Sequence, residues 1–314
     1  MEPARRVMAF MLADTFFGYL PRKFSYFLMT TVGWVVAVFF KGRVAGLVAN
    51  LRQVFPDYDE TQITDLMQRN AKNYGKFWVD LFKMPHLKPE YARSLARIEG
   101  REYLDTVLAR GKGCIVVTIH MGGWEGCTAL WGSLNEYRSS LIAEVLEPPS
   151  LWRRLLELRQ SSGIEIIPLG RSAPRQILRL LKENTIVAGA IDRDILGTGK
   201  PYEFFGATAS IPTGLIDVAQ RTGAGVLPVI CLRDPDDTYR FVGFEPVWVG
   251  EGDGAVDDTI AHVLRLFEAC IRQYPDQWHV MEPIFPAAPR TATKAAVQVL
   301  PAALDQPAEE VNVG

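Results

Sequence analysis

Beyond Gly111 the sequence alternates short apolar runs with stretches of helical periodicity, and few folds accept that pattern. The runs are 114–119 (CIVVTI), 140–146, 164–168 (IEIIP), 185–191 (TIVAGAI) and 226–232, with a further strand expected near 239–249. Helical stretches fall between them, around 124–134, 150–161, 174–183 and 213–222, and a last one at 257–274 closes the series. Strands separated by helices in this way predict an α/β fold, with a largely parallel or mixed sheet flanked by helices. No internal repeat is visible.

Up to Pro85 and Pro89 the chain reads as helical, without strand signals. Val44, Leu47, Val48, Leu51 and Phe55 recur at helical spacing up to Pro56. Asp59 is placed to cap the next helix, whose apolar stripe is Ile63, Leu66, Met67, Tyr74, Phe77, Trp78 and Leu81; Pro85 and Pro89 then break the pattern. Three parts are expected: hydrophobic and amphipathic helices over 1–56, an α/β domain over 57–285, and an Ala- and Pro-rich tail over 286–314 that reads as disordered.

Charge bears on what the first part does. Residues 1–56 hold seven Lys/Arg against Glu2 and Asp14, although the whole chain carries a net charge of only -2. Basic charge beside an apolar N-terminus favours anionic lipid surfaces. Arg5 and Arg6 precede an apolar stretch, but Asp14 interrupts it and no small-residue cleavage site follows, so a cleaved signal peptide is not expected. Residues 24–40 form an uncharged run bracketed by Arg22, Lys23, Lys41 and Arg43. As a helix the run would be about 26 Å long, somewhat short of a hydrocarbon core of ~30 Å. A bilayer-embedded or re-entrant anchor is the expectation, with a true span and a core helix as alternatives.

The chemistry concentrates in C-I-V-V-T-I-H-M-G-G-W-E, 114–125. A buried strand ends at His120, Gly122 and Gly123 make a turn, and a helix begins near Trp124 with Glu125 in its first turn. Ligands collect at the carboxyl ends of strands in open α/β sheets. There an imidazole can take a proton from a hydroxyl near neutral pH. Glu125, five residues on across a tight turn, is expected to fold back and fix the imidazole. An activated acyl thioester needs no protein nucleophile. The alternative is a strand-end histidine bonded to backbone, with Glu125 merely favourable at a helix N-terminus. Neither a G-x-S-x-G elbow, an H-E-x-x-H motif, a P-loop nor a G-x-G-x-x-G after a strand is present. Cys114, Cys127, Cys231 and Cys270 have neither close spacing nor paired histidines, so no disulfide framework or metal site is expected. No basic patch with interleaved aromatics suggests nucleic acid.

H-M-G-G-W-E resembles the H-x-x-x-x-D/E motif of the glycerolipid acyltransferases. More specifically, the chain resembles the lipid A biosynthesis acyltransferases of lauroyl/myristoyl type and the phosphatidylinositol mannoside acyltransferases. The likeness runs over about 8–285 and includes N-L-R-Q-V-F-P (50–56), A-I-D-R-D (190–194), F-F-G-A-T-A-S-I-P-T-G (204–214) and R-T-G-A-G-V-L-P-V (221–229). After Y-P-D-Q-W, the segment H-V-M-E-P-I-F looks more like the mannoside enzymes, which leaves open a disaccharide lipid, a mannosylated phosphoinositide or another glycolipid as acceptor. The resemblance implies an acyltransferase on the cytoplasmic face of the cell membrane, with no cofactor and with acyl-CoA or acyl-carrier protein as donor. It makes His120 the general base and Glu125 its partner. Gly123, Trp124, Arg193, Glu203, Phe204 and Phe205 would line the substrate groove, Glu203 as a second acid near His120 and Arg193 on a phosphate or oxyanion. Ion pairing of Arg193 with Asp192 or Asp194 and core packing of both phenylalanines are the alternatives. His279 reads as a helix-end structural residue, with a second functional histidine as its alternative. Arg153, Arg154, Arg171, Arg175 and Arg193 are the expected basic rim for an anionic donor. A silent lipid-binding protein or a thioester hydrolase would share these features.

Overall fold

The structure, a computed structural model, describes residues 3–134 and 137–285; the tail at 286–314 lies outside the described residues. Four helices come first: α1 (Pro3–Tyr19), α2 (Arg22–Phe39), α3 (Ala45–Val54) and α4 (Glu60–Lys83). Asp59 caps α4 as its position suggests. Its carboxylate accepts from Gln62 N at 2.8 Å while the Gln62 side chain accepts from Asp59 N at 2.9 Å, a reciprocal capping box. After α5 (Pro89–Ser94) the chain enters its sheet with β1 (Ala96–Glu99). This strand falls between Pro89 and Gly111, where the sequence pattern names no element. Its four residues carry no strand signature and owe their state to parallel pairing at the sheet edge.

There follow α6 (Arg101–Leu108), β2 (Cys114–Thr118), α7 (Trp124–Leu134), β3 (Ser139–Ala143), α8 (Pro149–Gln160), β4 (Glu165–Pro168), α9 (Ala173–Lys182) and β5 (Ile186–Ala190). The hairpin β6 (Lys200–Phe204) and β7 (Ala207–Ile211), then α10 (Gly214–Thr222), β8 (Gly225–Arg233), β9 (Tyr239–Gly243) and α11 (Ala255–Gln273), complete the order. Seven strands form one sheet in the order β1-β9-β8-β2-β5-β3-β4, parallel throughout except for the β8–β9 pair. The mixed α/β sheet flanked by helices is therefore as the sequence pattern indicates.

The two faces of the sheet differ. Ile115, Val117, Val187, Val226 and Ile230 pack with α9, α10 and α11 in the main core cluster, each 0 % exposed. On the opposite face Val116, Thr118, Ala188, Ala190 and Val229 remain only half-buried, although they belong to central strands. That face is not filled. Alanines where β5 would ordinarily carry Val or Ile leave room above it.

The first helices are tied to this body in two ways. Gly33 of α2 sits against the backbone of Ala71 on α4, and Gly75 of α4 against the backbone of Met29. No side chain fits at either contact. In addition, the buried Asp80 carboxylate accepts from Tyr26 (2.5 Å) and Tyr239 (2.6 Å) and pairs with Arg233, joining α2, α4 and the β8–β9 hairpin. The other faces of α1 and α2 are apolar and exposed: Met8, Leu12, Phe16 and Tyr19 on α1, and Phe24, Phe27 and Trp34 on α2. None of the described helices is long and apolar enough to cross a membrane, so α2 does not meet the requirement for the span kept as an alternative.

Candidate active site

The parallel register of β2 and β5 builds the centre of the site. Thr118 lies opposite Ala190, so the residues two positions beyond, His120 and Asp192, emerge side by side at the carboxyl edge. The ring Nδ1 of His120 is 2.7 Å from Asp192 Oδ1, and the His120 backbone N–H donates to Asp192 Oδ2 at 2.9 Å. Trp278 Nε1 donates to the same oxygen at 3.0 Å. Burial acts to raise the Asp192 carboxyl, but the His120 ring and these N–H donors outweigh it and hold it below the usual aspartate value. An ionised Asp192 keeps the proton on Nδ1 and leaves Nε2 as a base. Gly122 makes the turn possible: its φ is +65°, and it packs directly on the Cys231 backbone.

Glu125 stands elsewhere than the sequence reading expected. It is fully buried in the first turn of α7, and its carboxylate is held by Arg159 of α8, with Arg159 Nε at 3.0 Å from Oε1. The carboxylate on His120 Nδ1 is Asp192. The sequence points to Glu125 and Glu203 as acids for the ring; the β2–β5 register brings Asp192 there instead.

An apolar cavity of about 740 Å³ opens beside His120. The half-buried face of the sheet, Val116, Thr118, Ala188 and Val229, lines it, together with Trp131 of α7, Leu155 of α8 and Trp78 of α4. The Glu125–Arg159 pair joins α7 to α8, and both residues line the cavity. Of the residues expected to form the groove, Trp124 lines it, with its ring edge-on to His120 at 5.2 Å between centroids. Gly123 is buried against the Tyr239 ring, where a side chain would clash, rather than on the cavity wall. Phe204 and Phe205 are 0 % and 5 % exposed and pack with Trp278 inside the main core, outside the cavity. Glu203 is exposed on β6 opposite Thr208, also outside it. The physical reason is the β6–β7 hairpin: a strand in place of the expected loop turns alternate side chains inward and outward.

Arg193 lines the cavity but pairs with Glu144 (3.6 Å) and Glu282, rather than with Asp192 or Asp194. Asp194 instead accepts from Gly199 N (2.9 Å) and Ser210 Oγ (2.7 Å), fastening its own loop. The remaining rim candidates, Arg153, Arg154, Arg171 and Arg175, are not among the lining residues, and Arg154 is drawn to Asp14 of α1 at 2.6 Å. His279, for which the sequence leaves a helix-end and a functional role open, lines the same cavity as His120. Its backbone N–H donates to the His120 carbonyl at 2.8 Å.

The model of the bacterial lipid A biosynthesis acyltransferases matches residues 7–286. The chain belongs to that family. It is an O-acyltransferase. Among similar members is a phosphatidylinositol mannoside acyltransferase of Mycobacterium tuberculosis, 31% identical over 224 residues, which cover 69% of each chain. Its counterpart from Mycolicibacterium smegmatis is 29% identical over 222 residues, 70% of this chain and 72% of that one. The lipid A biosynthesis lauroyltransferase of Escherichia coli K12 is 24% identical over 269 residues, 82% and 84% of the two chains. Within this acyltransferase the matched region takes in both His120 and Asp192, and also most of α1 and all of α2.

Proposed function

We propose that the protein transfers a fatty acyl chain from a thioester donor, acyl-CoA or acyl-carrier protein, to a hydroxyl of a membrane glycolipid, with His120 as general base. The observation that carries this reading is the His120–Asp192 pair, whose imidazole lines an apolar cavity. Relatives named for a mannosylated phosphoinositide and for lipid A support a glycolipid acceptor. His120 Nε2 takes the acceptor's proton as its oxygen attacks the thioester carbonyl. The tetrahedral adduct then collapses to the ester, and the imidazolium returns the proton to the departing thiol. Asp192 stabilises the imidazolium between those two transfers. The hydrocarbon tail occupies the cavity over Ala188 and Val116.

The test is a chain-length series of labelled acyl-CoAs, with and without membrane lipid extract. Each buried methylene contributes roughly 0.8 kcal/mol, so the outer four carbons separate palmitoyl from lauroyl donors by up to about 3 kcal/mol in kcat/KM. Ala188→Phe, which fills the floor, is expected to lower palmitoyl transfer and spare the shortest donors. Release of free acid with no labelled lipid would point to a hydrolase instead, and a flat response to chain length would remove the cavity from the reading.

The same reading places α1 and α2 in the plane of the membrane interface. Their exposed apolar stripes, flanked by Lys23, Lys41 and Arg43, have the composition of a surface-lying helix pair. Because Gly33 and Tyr26 fasten α2 to the body, point changes are a cleaner probe than deletion. Phe16→Glu with Phe27→Glu is expected to reduce co-sedimentation with anionic vesicles at least tenfold while the melting temperature holds. Unchanged vesicle binding would exclude this face as the docking surface.

A further inference from the structure

The transfer chemistry uses one of the two histidines beside the cavity and leaves the other, His279, with an unused nitrogen. His279 is 5 % exposed and lines the cavity. Its tautomer follows from its neighbour. The amide nitrogen of Asn70 donates to the carbonyls of Trp278 (2.7 Å) and Pro275 (3.3 Å), so Asn70 Oδ1 is an acceptor. His279 Nδ1, 3.0 Å from that oxygen, must therefore carry the proton. Nε2 is left with a bare lone pair, buried, and without a hydrogen-bond partner among the described residues. Burial, with Arg233 and His120 close by, pushes the His279 pKa down to about 3, so the ring stays neutral. Such a nitrogen is a poor base at neutral pH but a good hydrogen-bond acceptor.

A buried acceptor left unpaired is costly, and a cavity-lining one is satisfied when a ligand brings an O–H to it. The surroundings favour a polyhydroxylated group. The Trp124 and Tyr74 rings flank His279 at 6.3 and 5.5 Å between centroids, and Arg193, Glu144 and Glu282 line the same cavity. Flat apolar faces beside hydrogen-bonding groups suit a sugar or polyol ring. The backbone N–H of His279 donates to the backbone carbonyl of His120 at 2.8 Å, so the two residues are neighbours across the chain.

We propose that His279 Nε2 accepts a hydrogen bond from a second hydroxyl of the acceptor, next to the one that His120 deprotonates, and thereby selects polyol headgroups over simple alcohols. This rests on the acyltransferase reading above. His279 is then a positioning residue, acting on where the acceptor lies and not on the proton transfer itself.

The experiment uses the full chain in mixed micelles with palmitoyl-CoA and three acceptors: octyl glucoside, its monodeoxy analogues, and octanol. For His279→Leu the ratio of kcat/KM for octyl glucoside to that for octanol is expected to fall about tenfold, mainly through KM, as befits loss of one hydrogen bond in a site built to receive it. One deoxy analogue should reproduce that loss with the unaltered protein, and His279→Leu should cost nothing further on it. His279→Gln, whose amide oxygen can accept, should recover part of the ratio and also guard against a folding defect in the Leu variant. Equal losses on octanol and octyl glucoside, or full additivity between variant and deoxy acceptor, would overturn the proposal. If the unaltered protein acylates no hydroxyl of any acceptor while binding palmitoyl-CoA, the acyltransferase reading itself fails and this inference falls with it. If it acylates them all with one ratio regardless of residue 279, only the inference fails.

Discussion

His120→Ala is expected to lower acyl transfer by about 10²–10⁴-fold without unfolding the protein, the range that general-base catalysis contributes. The fold should survive because the ring is partly exposed and its main partner, Asp192, keeps the Trp278 and backbone N–H donors. Asp192→Asn is the sharper test. An amide can still bond to Nδ1 but cannot stabilise the imidazolium, and its own N–H₂ can impose the other tautomer, with the proton on Nε2. Transfer should fall by a comparable factor with donor KM little changed, because Asp192 is fully buried and does not line the cavity. The readout is single-turnover transfer from labelled acyl-CoA at saturating donor. Near-normal turnover in either variant would end the mechanism.

What the sequence showed, and what it hid, divides along one physical line. Periodicity and turn chemistry are local, and they located β2, β5, β8 and the helices between them, the Asp59 cap, and the strand–Gly-Gly–helix junction that presents His120. Strand order is not local. Nothing in the chain says that β2 and β5, rather than consecutive strands, lie side by side, and only that pairing sets Asp192 against His120. A signal existed nonetheless. TIVAGAI and CIVVTI are apolar runs of similar length, and each delivers a polar residue just past its end. Glu125 drew attention by sequence proximity, yet a residue in the first turn of a helix points where the helix axis sends it, here towards α8. The hairpin at Phe204–Ala207 escaped because its turn uses Phe205 at φ +52° and Gly206 at φ +69°, with a phenylalanine where Asn or Asp is the usual choice. Phe205 holds that conformation because its backbone is engaged: its N–H bonds to Glu268, and Gln53 donates to its carbonyl at 2.9 Å.

Glu125→Ala should behave as a stability variant rather than a catalytic one. The pair it forms with Arg159 is deeply set, with side-chain exposures of 0 % and 13 %, and removing the acid strands a guanidinium between α7 and α8. Breaking a buried pair from one side typically costs about 3–5 kcal/mol, whereas replacing both partners by apolar groups of similar volume is often neutral. Glu125→Met combined with Arg159→Met should therefore recover most of the lost stability, measured as the denaturant midpoint in detergent. Transfer activity should return with it, since both methionines keep the α7–α8 contact and close the cavity wall with apolar side chains of similar size. The opposite pattern is equally definite. If the double variant regains its unfolding midpoint but stays as inactive as His120→Ala, then Glu125 acts on His120 itself. The acid five residues after the histidine would then be a catalytic partner, and not a pin between two helices.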